Sequence, residues 1–117
     1  MPKLSEAALA NRRRSQRRKP RATVKIECRK GSYGLGSNVA DAVLDISDSG
    51  VRMVVSQPLE MLAEVEIIIN GYGMRTSIKR ISIVRWVLKL ENGLYCVGIE
   101  FGKPISYRDW QNLAAPN

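Results

Sequence analysis

The 117-residue sequence has no histidine. That removes the commonest general base at neutral pH and with it a catalytic triad of the usual form. Cysteine is nearly absent: Cys28 and Cys96 stand alone, at no spacing that resembles a zinc site, and read as buried or half-buried thiols. Aromatic residues make up 6% of the chain, so platforms for stacking successive bases are few. No apolar run approaches a membrane span, and none near the N-terminus is long enough for a signal peptide. A cytoplasmic, reduced setting is the expectation, with no metal and no cofactor.

What is present is a core and an uneven charge. At 44% hydrophobic, the chain can bury an interior, and its length suits one domain. The net charge is +8. Residues 1–21 carry eight lysines or arginines against the single acid Glu6, whereas the remainder carries eleven bases against ten acids. The excess positive charge therefore lies on an N-terminal arm attached to a near-neutral body. Such an arm expects an anionic partner: a nucleotide, a nucleic acid or a membrane surface.

Residues 1–11 form a lead-in in which Ser5 can cap a short helix through Ala10, with too little apolar surface to be stable alone. Residues 12–21 are the arginine run, expected to be extended or irregular because like charges repel and Pro20 ends any helix. From Thr23 to Arg29 the pattern switches to period two, with Val24, Ile26 and Cys28 on one face of a strand. The glycine-rich stretch 31–36 has neither the lysine nor the following helix that a phosphate cradle needs, so it reads as a turn.

A second strand is expected over Val39–Ser47. Strict alternation puts Ala40, Ala42, Leu44 and Ile46 on one face, and Asp45 with Ser47 on the other. Asp48-Ser49-Gly50 turns the chain, with Gly50 supplying a positive φ, and Asp48 is expected to face solvent. Strands follow at Val51–Val55 and Val65–Ile69. Residues 74–90 are about twice the usual strand length and imply a bend or bulge. Asn92-Gly93 marks a hairpin, after which Tyr95, Val97, Ile99 and Phe101 alternate inward. Pro104–Ala115 has helical spacing, ended by Pro116. These elements predict an all-β fold: a small six-stranded antiparallel barrel, which removes exposed edges, with a short C-terminal helix and a basic arm.

Two stretches carry chemistry. Arginine offers a planar fork of donors that fits phosphate oxygens, fits the O6 and N7 acceptors of guanine, and can stack on a base. Aspartate offers the complement, accepting from the N1–H and the amine of guanine. Arg12-Arg13-Arg14-Ser15-Gln16-Arg17-Arg18 supplies the first chemistry. Asp45-Ile46-Ser47-Asp48-Ser49-Gly50 supplies the second, with Ser47 adding a hydroxyl and Gly50 allowing close approach. Taken singly, each has a plainer reading: a solvated basic tail for the first, turn capping by Asp45 and Ser47 for the second.

Arg13-Arg14-Ser15-Gln16-Arg17 fits the pattern RxxxR, and Asp45 to Gly50 fits DxSxxG. Their order, their separation of about thirty residues, and the later Ile83-Val84-Arg85-Trp86 and Tyr95–Phe101 resemble a PilZ domain over residues 12 to about 113. The resemblance implies a receptor for the bacterial second messenger cyclic di-GMP. Arg12, Arg13, Arg14, Arg17 and Arg18 would take phosphates and guanine edges, Asp45 and Ser47 would contact guanine, Gly50 would set the turn, and Trp86 would pack beside a guanine. Arg14/Arg18 and Arg17/Arg21 also fit RxxxR; the triple arginine two residues before Arg17 favours Arg13/Arg17, whereas Pro20, two residues after Arg18, favours Arg14/Arg18, and the register stays open between these two. Arg52 and Arg85 read as surface charges.

The domain is thus expected over residues 12–117, acting without enzymatic turnover, as a monomer or homodimer. With no output domain in these residues, a ligand-ordered arm would act on a downstream protein. Two other classes compete: a nucleic-acid-binding barrel with a basic arm, and a PilZ-like protein–protein adaptor that binds no nucleotide. The neutral body and the scarcity of aromatics argue against the former, the intact motifs against the latter.

Overall fold

The computed structural model describes residues 17–31, 36–71 and 74–116. The expected lead-in helix, Arg12, Arg13 and Arg14, and the centre of the glycine-rich stretch lie outside the described residues. Six strands form one antiparallel sheet: β1 (Lys25–Lys30), β2 (Ala40–Ile46), β3 (Gly50–Val55), β4 (Glu64–Asn70), β5 (Ile78–Lys89) and β6 (Tyr95–Phe101), followed by helix α1 (Tyr107–Leu113). The strand order is β1-β4-β5-β6-β3-β2, and the sheet curls until its two end strands approach each other.

Alternation builds most of these strands. Ile26 and Cys28 on β1, Val51, Met53 and Val55 on β3, Val65, Ile67 and Ile69 on β4, and Val97, Ile99 and Phe101 on β6 all point into one core. The β-branched residues among them suit a pleated, half-buried surface. β5 keeps its twelve-residue length by absorbing a bulge between Val84 and Trp86, as its length implied.

β2 departs from expectation. Its pairing with β3 shifts register between Ala40 and Ala42 and again between Val43 and Asp45. Each shift breaks the period of two, so Leu44 is 42% exposed instead of sharing a buried face with Ile46, while Asp45 and Ser47 are buried. Gly50 also serves a different purpose from the one expected: its φ is not positive. A Cβ at this position would sit 2.3 Å from the Ile99 carbonyl oxygen, so glycine is needed because β3 and β6 come too close for any side chain. Asp48 is half-buried rather than solvent-facing; its carbonyl accepts from the Ile105 amide at 2.8 Å.

The helix is shorter than expected. Ser106 caps it, its hydroxyl accepting from the Asp109 amide at 3.1 Å, and it ends at Leu113, well before Pro116. The chain leaves the helix there because Ala114 bridges Pro20 and the Ala115 amide donates to the Lys19 carbonyl at 2.7 Å. Trp110 and Leu113 are buried beneath the end of the barrel.

Closure is incomplete. β1 and β2 meet through the Arg29–Asn38 bridge and the Val39 amide, which donates to the Cys28 carbonyl at 2.8 Å; beyond that point they splay. The expected removal of edges is therefore only partial. Among the described residues, no helix is long and apolar enough to cross a membrane.

Candidate functional site

The hairpin β2–β3 turns over two residues, Asp48 and Ser49, with the Ser47 amide donating to the Gly50 carbonyl at 2.9 Å. A turn placed there puts Ile46 opposite Val51 and Asp45 opposite Arg52. The Ser47 hydroxyl is held inside the turn: it accepts from the Ser49 amide at 3.2 Å and lies 3.2 Å from the Ser49 hydroxyl. Ser47 is fully buried, so in this arrangement it fixes the turn that carries Asp45.

Asp45 is the centre of the site. Arg52 grips its carboxylate from across the hairpin: Nε donates to Oδ2 at 2.7 Å and to Oδ1 at 3.0 Å, and Nη2 donates to Oδ2 as well. Arg17, from the arm, donates through Nη1 to Oδ1 at 3.0 Å. Burial alone would push the Asp45 carboxyl up, but the hydrogen bonds and charges of Arg52 and Arg17 outweigh it and hold its pKa below the ordinary value. The same hydrogen bond to Asp45 raises Arg52 further above its already high value.

Arg17 reaches Asp45 because the next residue is anchored. The Arg18 amide donates to the Ile46 carbonyl at 3.0 Å, and the Ile46 amide returns a bond to the Arg18 carbonyl at 2.7 Å. One strand-like step of the arm is thereby fixed to the end of β2. Adjacent side chains in an extended chain point opposite ways. Arg17 turns to the outer surface, and Arg18 turns inward, its guanidinium 5.0 Å from the centre of the Trp110 ring. Arg17 and Arg18, both candidates from the sequence, are therefore separated by the structure.

Trp86 lies on the same surface as Asp45. It pairs with Gly98, Gly98 with Arg52, and Arg52 with Asp45, giving one outward row across four strands. A Cβ on Gly98 would sit 2.1 Å from the Trp86 Nε1, so the indole lies flat over the bare backbone of β6. Trp86 remains 39% exposed, and its free surface faces a cleft of about 140 Å³ that Arg17, Gly50, Arg85 and Glu100 also line. Arg85 donates through Nε to Glu100 Oε1 at 2.9 Å, forming one wall. A flat aromatic and an arginine from the arm, itself bonded to Asp45, thus line one concave place beside the Arg85–Glu100 pair, which suits a planar heterocycle bearing an anionic group.

The sequence reading missed Arg52. The signal was available: once the turn is centred on Asp48-Ser49, Arg52 must stand opposite Asp45. The link between Trp86 and Gly98 was less accessible, since it depends on the bulge in β5.

A family model described as PilZ domain matches residues 11–115. Comparison with curated proteins gives no match.

Proposed function

The chain belongs to the PilZ domain family, a family of generally cyclic di-GMP-binding domains rather than of enzymes, and from that premise we propose that it is a non-enzymatic receptor for cyclic di-GMP. In this reading, Arg17 and the arginines before it take the phosphates and guanine edges, while Asp45 accepts from a guanine N1–H and amine. Trp86 stacks beside the base. Ser47 and Gly50 hold the turn in shape.

The observation that carries the reading is the 3.0 Å contact between Arg17 of the RxxxR run and Asp45 of DxSxxG. Two segments twenty-eight positions apart supply opposite charges to one contact, and Arg17 of that contact also lines the cleft at Trp86. Arg17 and Arg52 together occupy the carboxylate oxygens that a guanine edge would use. Binding therefore requires at least one of these pairs to open, and an arginine released from Asp45 becomes free for phosphate. Ligand entry is in this way coupled to a rearrangement of the arm, which a downstream protein can read.

The test is equilibrium titration with cyclic di-GMP, GTP and a short single-stranded DNA at two salt concentrations. The receptor reading expects saturable, selective binding of the dinucleotide. Affinity that grows with DNA length and collapses with salt would instead support the basic-arm nucleic-acid reading.

A further inference from the structure

A cavity larger than the cleft at Trp86 lies elsewhere in the fold. It is an opening of about 390 Å³ in the seam of the barrel, between Val24–Ile26 at the start of β1 and Ala40–Val43 of β2. Residues Lys19–Ala22 cross over its end as a strap, fixed to Ile46 on one side through Arg18 and to Leu113 on the other through the Arg21 amide.

The seam is open for a local reason. Two register shifts in β2 bend that strand, as bulges do, and it departs from β1 just beyond Val39. The Ala40 amide is taken by the Asn38 side chain at 3.0 Å, and Ile46 is taken by Arg18. Between them, Asp41–Leu44 have strand neighbours on the β3 side only, and Lys25–Glu27 have them on the β4 side only, among the described residues. Two strand edges therefore face a gap, roughly 13 Å long at a strand's rise per residue. A backbone edge with no partner strand is a template for another strand.

The charges around the gap define what fits it. Lys19, Arg21 and Lys25 line it against the single acid Asp41. The β2 edge of a second copy would bring the same cations to the same place, so self-pairing meets like-charge repulsion. An acidic strand meets the opposite. Apolar floor is supplied by Val24, Ile26 and Val43.

We propose that this seam is a docking slot for an extended, acidic segment of a partner protein, added as a strand beside Asp41–Leu44 with alternate apolar side chains seated over Val24 and Val43. Main-chain bonds supply affinity and the cations supply selectivity, the usual division in strand addition. The slot rests on the adaptor half of the proposed function and not on the nucleotide. It also explains how a partner reads the arm: the strap that roofs the slot is the direct continuation of Arg17 and Arg18.

The test uses the full chain, isotopically labelled, and a blocked hexapeptide alternating valine and glutamate, with an otherwise identical valine–lysine peptide as control. Titration followed by amide NMR shifts is expected to move Lys25–Glu27 and Asp41–Leu44 saturably with the acidic peptide alone. Lys25→Glu should weaken that binding about threefold to fivefold and Asp41→Lys should strengthen it by a similar factor, as one exposed ion pair allows. Both variants should bind cyclic di-GMP as the parent does, so failure of the slot and failure of the receptor reading are told apart. Absent seam shifts, equal binding of both peptides, or shifts confined to Arg17 and Arg18 would each overturn the proposal.

Discussion

Arg52 holds Asp45 with a two-pronged grip across the β2–β3 hairpin, its Nε 2.7 Å from Oδ2 and 3.0 Å from Oδ1. The carboxylate is mostly covered, while the guanidinium is largely in solvent. Removing the arginine leaves a covered charge with Arg17 alone. Arg52→Ala is expected to raise the Asp45 pKa, read by carboxyl-carbon NMR titration, and to weaken dinucleotide binding because the carboxylate loses its fixed orientation. Arg52→Lys, which lacks the fork, should restore only part of both.

The same pair makes stability depend on pH. The Asp45 pKa is lower in the folded protein than its ordinary value of 3.8. Its contribution is therefore complete above that value and is lost as pH falls through the lower folded-state pKa. Asp45→Asn should destabilise the fold at pH 7 by about 1–2 kcal/mol, a figure reduced because both arginines are well exposed. Denaturant melts should show the difference between parent and variant shrinking toward zero in strong acid.

Two glycines should respond differently to alanine. At Gly50 the obstacle is the Ile99 carbonyl, which is backbone and cannot yield without parting β3 from β6. Gly50→Ala should cost about 1–3 kcal/mol in a denaturant melt. At Gly98 the obstacle is the Trp86 side chain, which can swing into solvent. Gly98→Ala should leave stability nearly unchanged, shift the tryptophan emission, and lower dinucleotide affinity.

Much of this architecture was legible in the sequence. Strands β1, β3, β4 and β6 alternate cleanly because each has one face in the core, and that requirement survives in the order of residues. β2 was misread at Leu44 because a bulge is a feature of the pairing between two strands, not of either one. Gly50 was assigned to the turn for the wrong reason: the demand comes from Ile99, forty-nine positions away. Arg52 was within reach, since the position of the turn fixes its partner. The separation of Arg17 from Arg18 was not, because it depends on the Arg18–Ile46 bridge and on Trp110 arriving from the helix.

That separation predicts unequal effects along the arm. Arg18→Ala removes a cation held over Trp110 and should cost about 0.5–2 kcal/mol of stability. Arg17→Ala, which loosens only a half-exposed pair, should melt almost like the parent. Melting curves of the two variants, measured together, separate the anchoring arginine from the cleft arginine.

The thiols should also behave unequally. Cys28 is fully buried, and burial pushes its thiol up to about 12, which suppresses the reactive thiolate. Cys96 lies half-buried on the outer side of β6. A chromogenic thiol reagent should modify one thiol per native chain, at Cys96, and two after denaturation.

The central claim is that the arm and the hairpin form one binding site. Calorimetric titration of cyclic di-GMP into the parent, Arg17→Ala and Asp45→Ala tests it most directly, provided that each variant is first shown to be folded. The account predicts micromolar or tighter binding by the parent and loss of at least about tenfold in both variants, as expected when a charge-assisted contact is removed. Parent-like binding by either folded variant would contradict it.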